Sequence, residues 1–135
     1  MSNITNNLKK SIYDCLSSQT SSSFNQLSGI FTYLEKKKVF PYIFISIENI
    51  EDNSTFSKNI YNYSVVIEIY DKNSSGNFVS NLAEDIKEIF ANKSNLISEY
   101  FSIIDIKYNK MNILLENDNT IWKSRIIFDF IISVN

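Results

Sequence analysis

The final segment of the chain, residues 120–134, carries the longest alternation of apolar and polar side chains in the sequence. Because successive side chains of a β-strand point to opposite faces, this alternation predicts one long strand with a buried face. The residues predicted to lie on that face are Trp122, Ser124, Ile126, Phe128, Phe130, Ile132 and Val134. Such a strand needs neighbouring strands and a covering layer, so we expect a sheet packed against helices.

The only proline, Pro41, precedes a second strongly apolar segment, which runs to Ile50. Proline has no amide hydrogen to give to a sheet ladder, and it is tolerated at the first residue of a strand. Pro41 therefore predicts the start of a strand. The segment is apolar on both faces, with isoleucines on one face and aromatic residues on the other, which is typical of a central strand.

Length and composition favour one globular domain that spans residues 1–135, since 44% of the residues are hydrophobic and 21% are charged. No apolar run approaches the roughly 18 residues of a membrane span, and the first residues lack the pattern of a signal peptide. We therefore expect no membrane partner and a protein that stays in the cell that makes it. The serine-rich residues 18–28 are predicted to form a flexible connector.

Periodicity predicts the order of the elements. The predicted order is a helix over residues 4–17, a short strand near residues 29–34, strands over residues 41–50 and 60–70, a helix over residues 78–92, a strand from residue 101 that continues to residue 115 after a kink near Asn109, and the final strand. Residues 51–59 would form a long hairpin tip. The Asn and Ser residues within 71–77 are suited to cap the second helix.

This order predicts an α+β fold with a mixed, mostly antiparallel sheet of four to five strands and two main helices packed on one face. A crossover from Tyr70 to Phe101 should be right-handed if it joins parallel neighbours. The other sheet face carries the tyrosines and several isoleucines in this interpretation. We expect that apolar face to be buried against another copy of the chain.

Several kinds of chemistry are disfavoured. The chain has no histidine, so the lone Cys15 has no base to activate it, and we expect a buried thiol and no cofactor or metal. The carboxylates Glu48, Glu51 and Asp52 lie close in sequence but at alternating strand positions, which favours a solvated strand end over an acid-base or metal site. We therefore predict that the protein is not an enzyme.

A net charge of −2 with one arginine argues against sequence-specific nucleic-acid binding.

Several short features occur together in one order. An N-terminal amphipathic helix is followed by a Phe-Pro-Tyr-Ile strand entry at residues 40–43, an alternating strand that ends at Asp71, the Gly76-Asn77 step into a helix, and a long closing hairpin with an Asn-Asp-Asn turn. This order resembles the small tail-completion proteins of long-tailed phages and prophages, a family that includes components of gene transfer particles. The resemblance covers nearly the whole chain.

The resemblance implies a tail terminator, also called a head-tail joining protein. Such a protein assembles as a ring on the tail tube, expected here to be a hexamer of the chain itself, and it contacts the tail-tube protein and the head-connector protein. Its work would begin in the cytoplasm of a bacterial host and end in the phage-like particle. No turnover is implied, and the function would depend on surfaces rather than on a catalytic site.

Two groups of residues are candidates for docking to these partners. The basic cluster Lys36, Lys37 and Lys38 precedes the first long strand, and Asp52, Asn53 and Phe56 belong to the polar tip that follows it. For both groups, an ordinary exposed loop remains the alternative. For the chain as a whole, the alternative function is a small dimeric α+β binding module of a non-phage pathway, which would have a ligand pocket.

Overall fold

The architecture was determined from a computed structural model, which describes residues 3–33, 39–72, 75–96, 98–116 and 120–134. Its elements, in chain order, are α1 (Ile4–Ser17), α2 (Ser22–Asn25), β1 (Gly29–Phe31), β2 (Tyr42–Asp52), β3 (Asn59–Lys72), α3 (Asn77–Phe90), a short 3-10 turn (Lys93–Asn95), β4 (Phe101–Glu116) and β5 (Ile121–Val134). The predicted helices and strands are therefore present, with end positions that differ by a few residues.

The five strands form one sheet in the order β1-β2-β3-β5-β4. The β1–β2 pair is parallel, and the other three pairs are antiparallel. This confirms the predicted α+β class with a mixed, mostly antiparallel sheet. Strand β5 lies between β3 and β4, so the crossover through α3 does not join neighbouring strands, and the condition attached to the right-handed crossover is not met.

The core lies between one face of the sheet, here called the helix face, and the helices. Helix α1 contributes a buried stripe that includes Leu8, Ile12 and Leu16, and α3 contributes another that includes Leu82 and Ile86. The alternation of β5 is confirmed, because Ile126, Phe128, Phe130 and Ile132 are all at most 1% exposed on this face. Each such side chain contributes roughly 1.5–3 kcal/mol on burial.

Pro41 lies directly before Tyr42, the first residue of β2, so the predicted strand start is confirmed. The carbonyl of Pro41 accepts a hydrogen bond from the amide of Ser28 at 2.7 Å. This bond ties the entry of β2 to the residue before β1. The predicted connector at residues 18–28 contains the one-turn helix α2, whose Phe24 is buried, while its flexibility stays a prediction.

The start of α3 differs from the predicted Asn or Ser cap. Gly76 is the N-cap residue and has no side chain to accept a hydrogen bond, although Oγ of Ser75 accepts a long one, at 3.5 Å, from the amide of Asn77. The reason lies in the packing, since a Cβ atom at Gly76 would come within 2.9 Å of Cε3 of Trp122. Close contact between the chain and this indole ring thus takes precedence over a capping side chain.

Candidate subunit interface

The β2–β3 hairpin ends in a compact tip, defined as residues 53–58. The amide of Asn53 donates to the carbonyl of Ile60 at 2.8 Å, and the amide of Thr55 donates to the carbonyl of Lys58 at 2.8 Å. Hydrogen bonds therefore continue beyond the ends of the two strands. The tip is shorter than the predicted residues 51–59, because Glu51 and Asp52 belong to β2 and Asn59 belongs to β3.

Side chains also hold the tip. Oδ1 of Asp52 accepts a hydrogen bond from the amide of Ser54 at 2.9 Å, and Oγ of Ser54 accepts one from the amide of Ile60 at 3.1 Å. Hydrogen bonds from the hydroxyl and the amide of Ser54 lower the pKa of the Asp52 carboxyl below its usual value. These bonds favour one conformation of an otherwise exposed turn.

Phe56 projects from this tip and is fully exposed, at 110% of the reference accessibility. A hydrogen-bonded turn that presents a bare aromatic ring loses little conformational entropy when the ring is buried by a partner. Burying a phenylalanine side chain contributes about 1.5–3 kcal/mol. Phe56 is therefore suited to act as an anchor in a protein interface.

The structure brings three of the predicted docking residues together, since Asp52, Asn53 and Phe56 all lie at or beside this tip. The cluster of Lys36, Lys37 and Lys38 lies outside the described residues. Glu48 lies in the exposed end of β2, as predicted, and it also contacts Arg125, with Oε1 2.8 Å from a guanidinium nitrogen.

That contact belongs to an ionic cluster on the second face of the sheet, here called the open face because the described helices pack on the helix face. Lys123 lies 2.7 Å from Glu68 and 3.4 Å from Glu116, and Arg125 lies 4.0 Å from Glu68. Burial lowers the pKa of Lys123, but the hydrogen bond and charge of Glu68 outweigh this effect, so the pKa of Lys123 is raised.

Aromatic rings extend this cluster. Tyr42 stacks on Tyr70 with ring centroids 4.8 Å apart, and the Lys123 ammonium lies 5.4 Å from the centre of the Tyr70 ring. Burial, and secondly the neighbouring Tyr70, raise the pKa of Tyr42 to about 12. Below these long side chains, Val66 and Ile127 are only 2% and 7% exposed.

The prediction of an apolar open face that carries the tyrosines is therefore wrong in part. Tyr61 and Tyr63 pack with the core on the helix face, and the centre of the open face is ionic. The face covers its own small apolar residues with charged and aromatic side chains. It consequently has less need of burial against another copy than the sequence suggested.

The edge strand β4 has an exposed apolar surface that was not predicted from the sequence. Its first half is interrupted by register shifts at Ile103/Asp105 and Tyr108/Lys110, which confirms the kink predicted near Asn109. From Lys110 to Glu116 the register with β5 is unbroken. Within this stretch Ile113, Leu114 and Leu115 are 41%, 46% and 41% exposed. The apolar run itself is visible in the sequence. It indicates an exposed surface only if the strand is known to lie at the sheet edge, and the strand order was not predicted.

A groove of about 570 Å³ opens between α1 and β1. Aromatic and basic side chains line it, including Tyr13, Phe31, Tyr33 and Lys9. It lies beside the start of β2, because β1 pairs with Tyr42–Phe44, whereas the hairpin tip follows the other end of the same strand. The tip and the groove are thus separate surfaces of one subunit.

Three further observations concern the part of the chain that the structure describes. Its residues contain no group of three or more His, Cys, Asp or Glu side chains placed to hold a metal ion. None of its helices has the length and apolar character needed to cross a bilayer. The buried Cys15 has a raised pKa because of its burial, which disfavours the reactive thiolate.

A solved structure with a similar fold is known, although the sequence matches no family model. No protein-family model matches the sequence, and no curated protein matches it. The solved structure of the virion of a native gene transfer agent particle contains a chain with a similar fold, with a TM-score of 0.77 and 9% sequence identity. The match covers 93% of this chain and 94% of that chain. At this identity the likeness shows a shared fold across nearly the full length of both chains.

Proposed function

We propose that the protein is a structural component of a phage-like particle, and that it caps the tail tube and joins the tube to the head as a ring. The observation that carries the proposal is the likeness of fold to a chain of a gene transfer agent virion, which extends over 93% of this chain. In such a particle a small α+β subunit acts through its contact surfaces. Assembly would take place in the cytoplasm of a bacterial host before the subunit becomes part of the particle.

The hairpin tip supplies a surface of the required kind. Phe56 is fully exposed on a turn held by hydrogen bonds to the backbone, and Asp52 adds a carboxylate beside it. An exposed aromatic side chain on a preorganised turn is the kind of group that forms an interface hot spot. We place a contact of the assembly, with the tail-tube protein or the next subunit, at this tip.

A ring also needs two different surfaces on each subunit, because a closed ring is built from head-to-tail contacts. The tip and the α1–β1 groove meet this requirement, since they lie at opposite ends of β2. We expect six subunits in the ring, with one side against the tail-tube protein and the other against the head-connector protein.

Imaging of tail tubes tests this proposal. Purified protein would be added to tubes assembled from the tail-tube protein of the same particle, and the tube ends would be examined by negative-stain electron microscopy. We expect ring-shaped density at one end of the tubes. Tubes with bare ends at saturating protein would contradict the proposal.

Substitutions in the tip locate the contact. Phe56→Ala should weaken end binding, since it removes the exposed ring without disturbing the core, whereas Ser57→Ala in the same turn should bind as the unmodified protein does. Equal binding by both variants would mean that the tip is not the contact, although capping itself could still be observed.

A small dimeric binding module is the second candidate, and the groove of about 570 Å³ between α1 and β1 favours it. Its volume falls within the range of small-molecule sites, and aromatic side chains with nearby lysines would suit an anionic aromatic ligand. Native mass spectrometry of protein purified from its host would detect a retained ligand. A retained ligand together with bare tube ends would favour this function over the first.

A further inference from the structure

The regular half of β4, residues 110–116, lies at an edge of the described sheet. Among the described strands, β4 pairs only with β5. Sheet edges are usually protected by charges, by bulges or by covering elements. The first half of β4 has such protection in Lys107 and in its two register shifts, but the stretch from Met111 to Leu115 has neither a charge nor a shift.

The helix face of this stretch is apolar and partly exposed, whereas its open face is mostly polar. Ile113 and Leu115 lie opposite Ser124 and Trp122 of β5, on the helix face, and Leu114 lies on the open face. A strand with an exposed apolar face, and with backbone groups on one side that no described strand pairs with, is a template for another strand.

The sequence of the stretch specifies which strand fits. If a second copy of β4 runs antiparallel to the first with Ile113 opposite Ile113, then Lys110 lies opposite Glu116, Met111 opposite Leu115 and Asn112 opposite Leu114. Directly opposite residues share a sheet face, and opposite charges in such positions attract. The two-fold axis of this pairing lies at Ile113, so a Lys110–Glu116 pair occurs at each end of the paired segment.

We propose that two copies of this chain associate through antiparallel pairing of residues 110–116 of β4, in the register centred on Ile113. The two sheets then continue into each other, with both helix layers on the same side. Lys110 has no ion-pair partner among the residues that the structure describes, and Glu116 lies 3.4 Å from Lys123. The contact is limited to two copies, because one two-fold pairing occupies the β4 edge of both.

This inference does not rest on the proposed tail function, and its test uses the purified chain without tubes. Sedimentation velocity over a range of concentrations should show a reversible monomer–dimer equilibrium. Lys110→Glu alone or Glu116→Lys alone places like charges opposite each other at both ends of the pairing. Each variant should dimerise about tenfold more weakly than the unmodified chain, since two charge pairs change sign.

The decisive sample is an equal mixture of the two variants. In a mixed dimer both ends again carry opposite charges, so the mixture should recover association close to that of the unmodified chain. Glu84→Lys, with the same charge change as Glu116→Lys on the exposed side of α3, is the matched control and should dimerise normally. A mixture that associates no better than its components would overturn the proposal, as would a monomeric unmodified chain at all concentrations.

A second variant keeps the test valid if a charge variant folds poorly. Leu114→Asp places a carboxylate in the centre of the pairing at a position that is 46% exposed in the subunit. Its circular dichroism spectrum should match that of the unmodified chain while its dimerisation is lost. Unchanged dimerisation of this variant would rule out the β4 edge as the interface.

Discussion

Lys123 and Glu68 lie on neighbouring strands of the open face with Nζ and Oε2 2.7 Å apart, and their side chains are only 16% and 13% exposed. A half-buried ion pair is costly to break from one side, because the remaining charge stays desolvated. Arg125, at 4.0 Å, offers Glu68 only partial compensation.

Lys123→Met should therefore lower the free energy of unfolding by about 1–3 kcal/mol, less than the loss for a fully buried pair. The matched control is Lys10→Met, which removes an ion pair of similar length, 2.9 Å, between side chains that are 74% and 57% exposed. The control should be close to neutral in urea denaturation. Equal effects of the two substitutions would mean that the open-face cluster does not stabilise the fold.

Phe128 tests the packing of the helix face. It is 1% exposed and meets the ring of Phe90 edge-on, with centroids 4.9 Å apart. Phe128→Ala should lower the free energy of unfolding by roughly 3–5 kcal/mol. Phe56→Ala makes the same chemical change at a fully exposed position and should leave the midpoint of urea denaturation unchanged. A loss below about 1 kcal/mol at Phe128 would contradict its place in the core.

Tyr42 gives the protein a specific response to alkali. Its pKa of about 12 exceeds the usual value near 10, so the folded state holds the phenol proton more tightly than the unfolded state does. The resulting stabilisation is complete below about pH 10 and is lost as the pH rises towards 12. Tyr42→Phe should reduce this alkaline loss and remove one late-ionising group from an ultraviolet tyrosine titration. An identical titration of both proteins would contradict the assignment.

Asp52 should make stability depend on pH in the acid range, because its pKa is lowered in the folded state whereas that of Tyr42 is raised. Its pKa is lowered by hydrogen bonds from Ser54, so its contribution to stability is present above the pKa of the unfolded chain and is lost as the pH falls through the folded value. In Ser54→Ala the hydroxyl is absent, and the Asp52 pKa measured by carboxyl NMR should rise towards its ordinary value. An unchanged pKa would show that the hydroxyl does not order the tip.

The sequence predicted the elements well because each signal is local. The alternation in β5 identified its buried face, Pro41 identified the start of β2, and the break in pattern near Asn109 identified the irregularity in β4. Strand order was not predicted, since the insertion of β5 between β3 and β4 depends on contacts between distant parts of the chain.

The surfaces were harder to predict for the same reason. Glu48, Glu68, Lys123 and Arg125 form one cluster only when the registers of three strands are known. Of the predicted docking residues, Phe56 proved to be fully exposed at an ordered turn, which periodicity alone could not show. The use of this tip in assembly stays a prediction.

Tail-tube growth in the presence of the protein tests whether the protein caps the tube. Tubes would be elongated from seeds with increasing amounts of purified protein, and their lengths would be measured by electron microscopy. We expect that mean length falls as the protein is added, that rings occupy the stopped ends, and that Phe56→Ala shortens tubes less than Ser57→Ala does. Unchanged tube lengths and bare ends at saturating protein would contradict the proposed capping.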